Sequence, residues 1–572
     1  MTTSGLRLLL LIAALPLAGW AVNEVSFQAP PTHYDLLLAG GKVLDGTGNP
    51  WFSADIGVTD GRVAAVGDLR DATASHRVDV SGLFVVPGFV DMHSHAADVA
   101  SDGDGFDSSD PGHRAAPNLV GQGITTVAIN QDGRSPVDLA AQRARYDSAG
   151  IGLNAVLMVG HGSVRGAVMG EDHRRGASAP EIEEMQVLVR RAMEAGAAGL
   201  SAGLEYAPGR WAATSEVVAL MREVAAFDGV YISHQRSEGA DPMWFWPSVD
   251  SAGPPTLTDA VLETIEIGEQ TGARVVASHI KAKGAHYWGS SAAAIQLIQA
   301  ARDRGVRVWA DQYPYTTSGS DGSTVLLPSW AFSGVNRREE SPDYAGHVQS
   351  LLTDPVKATA LRRDITHEIR RRGGASKVLV MEAADTAHVG LTLTELAERL
   401  HLEPVEAAIW MQLNGIPGQR GGARMRGFSM DESDVDRYAA LPWVATASDA
   451  GIAVASDGPV HPRFWGTFPR KIRRYALERG VLSVADAIRS MTSLPAQLLG
   501  LRDRGLVREG FVADLTVIDL ELIRDRATAF EPHAEPEGVV HVFLAGEAIL
   551  ENGVRTGELV GAVIQPTSFV GR

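Results

Sequence analysis

Short apolar runs alternate with amphipathic stretches through most of the chain. Eight runs read as strands, at about 84–95, 124–132, 155–161, 198–206, 230–236, 275–281, 306–315 and 444–449. They are short, rich in branched and aromatic residues, and bounded by turn residues, as strands buried on both faces require. Segments of helical period lie between them, for example 181–195 and 215–226. Strand–helix alternation builds a parallel sheet, and eight such units make an α/β fold, a closed (β/α)8 TIM-type barrel. The stretch from about 330 to 427 is too long for one crossover. It predicts an inserted helical segment, with helices near 357–372 and 394–413.

The two ends have a different texture. Between Tyr34 and Val80, Gly and Asp-Gly punctuate short apolar runs, the signature of hairpins. The same texture returns in Gly510-Phe-Val-Ala-Asp-Leu-Thr-Val-Ile-Asp and Val539-Val-His-Val-Phe-Leu-Ala-Gly. A small β-sandwich domain formed by both termini, 33–82 and 501–572, is therefore expected beside a barrel at 83–500. Ahead of it, Arg7, the run Leu8 to Ala21 and the small residues of Ala18-Gly19-Trp20-Ala21 read as a signal peptide over residues 1–22, cleavable after Ala21. The run falls short of the roughly 20 residues a spanning helix needs. The expectation is an exported protein, periplasmic or secreted, with no stable membrane partner.

Composition narrows the chemistry. The 572 residues are 45% hydrophobic and 21% charged, as in ordinary globular proteins. A net charge of -18 argues against nucleic acid or an anionic membrane as partner. With 0 cysteines, disulfides, thiolate metal sites and a cysteine nucleophile are excluded. A metal would have to rest on His, Asp, Glu or a modified lysine.

Candidate chemistry gathers at the strand ends. Val85-Val-Pro-Gly-Phe-Val-Asp-Met-His-Ser-His places His93 and His95 on one face of a strand, where two imidazoles can grip a divalent cation. The other runs end in Gln131-Asp132-Gly133, Gly160-His161-Gly162, Glu205-Tyr206, His234-Gln235-Arg236, His279-Ile280-Lys281, Asp311-Gln312-Tyr313 and Ser448-Asp449. Each has a structural reading, as a capping Asp or a hydrogen-bonded histidine under a loop. A barrel, however, brings all these ends to one mouth, where active sites sit.

Several stretches resemble the amidohydrolase superfamily, and within it the N-acyl-D-amino-acid deacylase (D-aminoacylase) group. They are Pro87-Gly-Phe-Val-Asp-Met-His-Ser-His, Met158-Val-Gly-His, Gly199-Leu-Ser-Ala-Gly-Leu-Glu-Tyr, Ser233-His-Gln-Arg-Ser-Glu-Gly, Ala277-Ser-His-Ile-Lys, Asp311-Gln-Tyr-Pro-Tyr and His461-Pro-Arg-Phe-Trp-Gly-Thr-Phe-Pro-Arg. The resemblance implies one metal site on His93 and His95 and a second on His234 and His279. It makes Asp449 both ligand and general base; Asp457 competes for that role, and Asp449 is preferred because it closes a strand-like run. Where the group places a cysteine ligand, this chain has Asp132, which can bind or bridge ions through oxygen or only cap the turn before Gly133. The implied cofactor is Zn2+, one or two ions, other divalent metals being possible. Substrate binding is expected from Arg236, Lys281, Tyr313 and Arg463, with His161 polarising a carbonyl or shaping the pocket. The resemblance thus implies zinc-dependent hydrolysis of small-molecule N-acyl amino acids of the D series. The alternatives are a dipeptidase, a cyclic-amide hydrolase or a xenobiotic amide hydrolase. The loop Asp241-Pro-Met-Trp-Phe-Trp-Pro-Ser-Val reads either as a greasy lid or as a packing plug.

Overall fold

A computed structural model describes residues 32–97, 105–319, 323–336 and 341–566; the leader read at 1–22 lies outside the described residues. Eight parallel strands pair in chain order: Phe89–Asp91, Ile124–Ile129, Asn154–Gly160, Gly199–Gly203, Val230–His234, Arg274–Ala277, Val308–Gln312 and Val444–Thr446. The first and last meet just beyond their ends. Ser94–His95 pairs in parallel with Ala450–Gly451, and the Asp449 N–H donates to the His93 carbonyl at 2.9 Å. This closure sets His93, His95 and Asp449 side by side.

Alternation along the strands fills both sides of the barrel wall. Val90, Ala128, Val156, Met158, Val230, Ile232, Val276 and Ala445 pack inside, against Leu494, Leu498 and Leu501. The outward residues meet the helices. In Ala179–Glu194 the buried positions are Met185, Val189, Ala192 and Met193, one helical face, and Ser178 with Glu181 forms its capping box. The late strand Val563–Ile564 also pairs with Ala155–Val156, below the point where Gly199–Gly203 begins.

The run expected as one strand over 84–95 is three pieces. Phe84–Pro87 belongs to the β-domain, where it pairs with Leu515–Ile518; Phe89–Asp91 opens the barrel; Ser94–His95 closes it. The break falls at Pro87-Gly88, where proline has no N–H to donate and the Gly88 N–H turns to the Asp514 carbonyl at 2.8 Å. A Cβ on Gly88 would lie 2.3 Å from Thr125 Oγ1. The β-domain is one nine-stranded mixed sheet drawn from both ends of the chain. It curls until Val63 N–H reaches the Phe511 carbonyl at 2.9 Å, enclosing Leu38, Ile56, Val63, Val85, Leu515 and Phe543.

The insertion has its own core, built on Val348, Leu361, Ile365, Val380, Leu396 and Met411. Its helices include Pro355–Arg371. The helix expected over 394–413 is two, Leu393–Leu400 and Pro404–Asn414, parted at His401 (φ 55°) and Pro404. A helix Tyr344–Leu352 and a two-stranded antiparallel sheet of Val378–Ala383 with Ala423–Gly427 complete it; neither was expected from the sequence.

Candidate active site

The barrel mouth brings six of the expected residues together. Asp132 stands in the middle, its Oδ1 3.3 Å from His93 Nε2, 3.6 Å from His279 Nε2 and 3.7 Å from His234 Nδ1, its Oδ2 3.6 Å from His95 Nε2. Asp449 Oδ1 lies 3.1 Å from His95 Nε2 and 3.7 Å from His93 Nε2. His234 Nδ1 and His279 Nε2 are 3.0 Å apart.

The backbone is bent to make this possible. Ten non-glycine residues among the described ones have positive φ, and three of them are Asp132 (57°), His279 (34°) and Asp449 (51°). L-residues resist that region, and strain of this kind gathers where side-chain aim matters. At the Asp132 turn, Gly133 (φ 75°) completes the bend, and a Cβ there would lie 2.8 Å from the Gly203 nitrogen.

Outer partners set which imidazole nitrogen faces inward. The Ser278 hydroxyl donates its one proton to Asp311 Oδ2 at 2.7 Å, so it must accept from His93 Nδ1–H at 2.7 Å. That leaves the His93 Nε2 lone pair pointing at Asp132. His234 Nε2 lies 2.9 Å from Glu205 Oε2, freeing Nδ1 in the same way. His279 Nδ1 faces Lys281 Nζ at 2.8 Å and Glu238 Oε1 at 3.1 Å. The Asp311 carboxylate also accepts the His279 backbone N–H at 2.6 Å. Such outer contacts orient metal ligands.

The cluster is strongly polarised. Burial would raise the Asp132 carboxyl, but the His279 and His93 imidazoles overcome it and hold the group well below the usual carboxylate range. Asp449 is likewise held low against burial, foremost by the Arg463 guanidinium. Burial lowers His93. His279 is pushed up to about 10: burial and Lys281 oppose this, and Asp449, Asp132 and Glu238 outweigh them. Asp91, under Ser448 and His93, is raised to about 7 by burial.

These residues fit a metal. His93 Nε2 and Asp132 Oδ1 are buried without a hydrogen-bond partner, and they face each other. Zinc bonds of 2.0–2.1 Å in tetrahedral array hold ligand atoms about 3.3 Å apart; the spacings above run from 3.0 to 3.7 Å. Among the described residues two trios within reach of one ion are His93, His95 and Asp449, and His93, Asp132 and His279, with His234 Nδ1 3.7 Å from Asp132 on the second side. A third trio, His234, Glu238 and His279, is already served by the Lys281 ammonium, which is ion-paired to Glu238.

Other expected residues divide. Arg463 Nη1 pairs with Asp449 Oδ2 at 2.7 Å and its guanidinium lies 4.7 Å from the Tyr313 ring centre. Lys281 lies 5.2 Å from the same ring. These three border the cluster. Arg236 does not join it: Glu263, the Arg210 carbonyl and the Ala212 carbonyl engage its donors. His161 is tied to Glu216 at 3.0 Å, beside Arg165. Asp457 pairs with His113 at 3.4 Å, outside the cluster. In the aromatic loop, Phe245 and Trp246 are buried against His367 and Arg371 of the inserted helix, which is the packing role. Sequence reasoning assigned no role to Glu205, Glu238, Ser278 or Asp311. All four lie in the stretches that carry the resemblance, and Glu205 and Asp311 also end strand-like runs.

A barrel mouth holding two imidazole–carboxylate groups around a shared aspartate is the site of a metal-dependent hydrolase. The sequence profile described as "Amidohydrolase family" matches residues 77–309 and 362–549. The chain is 31% identical over 564 residues to the D-aminoacylase of Alcaligenes xylosoxydans xylosoxydans, covering 95% of this chain and 99% of that one. A D-aminoacylase structure described for its binuclear metal center superposes with a TM-score of 0.68 at 30% identity, covering 93% of this chain and all of the other. N-acyl-D-glutamate deacylase from Bordetella bronchiseptica, solved with zinc and a phosphonate mimic of the tetrahedral intermediate, gives 0.69 at 28% identity and covers 93% of this chain. The chain belongs to the amidohydrolase family.

Proposed function

We propose that this protein hydrolyses the amide bond of N-acyl-D-amino acids, releasing a carboxylic acid and a free amino acid, and that it does so outside the cytoplasm behind a cleaved leader. The relatives named above support the substrate class. The observation that carries the chemistry is Asp132, unpartnered at Oδ1 and central to four imidazole nitrogens.

His93, His95, Asp449 and Asp132 would hold one ion; His234, His279 and Asp132 would hold a second. Zinc bound there would supply a Lewis acid for the acyl oxygen and would lower the pKa of a bound water to about 7. Asp449 Oδ1 takes the proton from water as its oxygen bonds to the acyl carbon. It returns that proton to the nitrogen as the C–N bond breaks, so one carboxylate serves both steps. Arg463, Lys281 and Tyr313 receive the α-carboxylate, with Arg463 also holding Asp449 in register. Acetate release from N-acetyl-D-methionine and its L-enantiomer, amino-acid release from a dipeptide and ring opening of a hydantoin together test the reading. Turnover of the dipeptide or hydantoin in preference to the N-acetyl-D-amino acid would refute it.

A further inference from the structure

Both oxygens of Glu205 are engaged, and by different parts of the molecule. Oε2 lies 2.9 Å from His234 Nε2, while Oε1 accepts the Met243 backbone N–H at 2.6 Å. The side chain is 1% exposed, so no water replaces either partner freely. Met243 belongs to the aromatic loop 241–250, whose far side is clamped to the inserted helix Pro355–Arg371. There Asp241 pairs with His367 at 3.1 Å and Arg371 at 3.2 Å. Arg371 also donates to the Pro242 carbonyl at 2.8 Å, and Ser248 N–H donates to Asp364 at 3.0 Å.

We infer that Glu205 is a positioning residue that couples this loop, and through it the insertion, to the His234/His279 half of the metal centre; the inference rests on reading His234 as a ligand. The chemistry is that of tautomers. A carboxylate at Nε2 keeps the proton there and leaves the Nδ1 lone pair facing His279 and Asp132. The Met243 N–H fixes where that carboxylate sits. A loop displaced from its clamp removes a donor from a buried oxygen and loosens the ligand behind it. By linkage the effect runs both ways: an ion on Nδ1 strengthens the Nε2–H donor, tightens Glu205 and steadies the loop.

Glu205→Gln tests this without changing size. An amide oxygen can serve Met243, but the amide NH2 then faces His234 Nε2 and demands a lone pair there, shifting the proton to Nδ1. Zinc titrated into apoprotein against a chelator should show one site weakened at least tenfold and the other unchanged within twofold. Zinc loading should slow amide exchange across 241–250 in the wild type and leave it unchanged in Glu205→Gln. Asp364→Ala, which releases the Ser248 end of the clamp, should weaken the same site at least threefold, with no added effect in a Glu205→Gln background. This variant also decides the matter if Glu205→Gln does not fold. Unaltered zinc affinity in both variants, loop exchange indifferent to zinc in the wild type, or an undiminished Asp364→Ala effect in the double variant would overturn the coupling. Wild-type zinc binding unchanged by His234→Asn would overturn both the coupling and the ligand reading, whereas a loss there alongside the other negatives strikes the coupling alone.

Discussion

Replacing Arg463 by methionine separates two duties that the structure gives one guanidinium. The side chain is buried, pairs through Nη1 with Asp449 Oδ2 at 2.7 Å, faces the Tyr313 ring, and keeps Nε buried without a partner. One donor therefore steadies the base, and Nε is left without a partner as a donor for a substrate carboxylate. Methionine retains much of the apolar length and removes both duties. A hydrogen bond between charged groups contributes about 1.5–3 kcal/mol, and 1.36 kcal/mol is tenfold in rate. Losing the carboxylate contact should thus cost about 10- to 150-fold on N-acetyl-D-methionine relative to its carboxamide, which has no carboxylate to lose. The drop on the carboxamide reads the disturbance of Asp449 alone. The two kcat/KM values are followed by acetate release in wild type and variant, and the ratio of ratios isolates the contact. Arg463→Lys, which keeps charge without the fork, should fall between. The acid limb of kcat/KM should move to higher pH in Arg463→Met, because burial raises Asp449 and Arg463 is the foremost group opposing it. A ratio of ratios near one would refute the assignment of Arg463 to the substrate carboxylate, whatever happened to the absolute rates.

Other outcomes follow from the same geometry. Asp132→Asn keeps the shape but removes the shared charge, so zinc affinity should fall by more than the roughly 10- to 100-fold that losing an outer partner costs; equal metal content after dialysis in wild type and variant would contradict a bridging role. Exhaustive chelation should abolish hydrolysis and leave the far-ultraviolet circular dichroism unchanged, since the barrel core of Val90, Val156, Ile232 and Val276 does not depend on the mouth; activity should return with zinc, cobalt or manganese. Lys471 is buried with its ammonium donating to the Ala439 carbonyl at 3.2 Å, and burial pushes it down to about 7. The unfolded chain therefore binds the proton more readily between pH 7 and about 10.5, and stability should rise with pH through that window by at most about 1.4 kcal/mol per unit. Lys471→Met should melt above wild type at pH 7 and lose the advantage toward pH 10; a constant difference in Tm would refute the buried charge as its source.

The barrel was legible because its signals are local and repeated. Each βα unit carries a buried run, a turn and an amphipathic helix, so a misplaced boundary such as 84–95 does not disturb the topology. The candidate ligands were legible for a related reason: they end those runs, and the fold itself gathers run ends. What could not be read is which atoms are already engaged. Arg236 and Arg463 look alike in sequence, each a cation beyond a histidine, yet Glu263 on the following helix takes the first and Asp449 takes the second. Glu205 and Glu238 lie in the quoted stretches, yet neither announces its partner, because each finds its histidine at the neighbouring strand's end, 29 and 41 positions away. The left-handed conformations at Asp132, His279 and Asp449 are hidden for a different reason: none of these is glycine, and only Asp132, before Gly133, stands where the sequence reads as a turn. Pattern therefore identifies the residues that reach the mouth, and the accounting of each donor and acceptor identifies what they do there. On that accounting the two unpartnered atoms at the centre, His93 Nε2 and Asp132 Oδ1, are the reason a cation belongs between them. Every other polar contact described around them, from Ser278 and Asp311 to Glu205 and Arg463, acts to keep those two atoms, and the imidazoles beside them, aimed at one point.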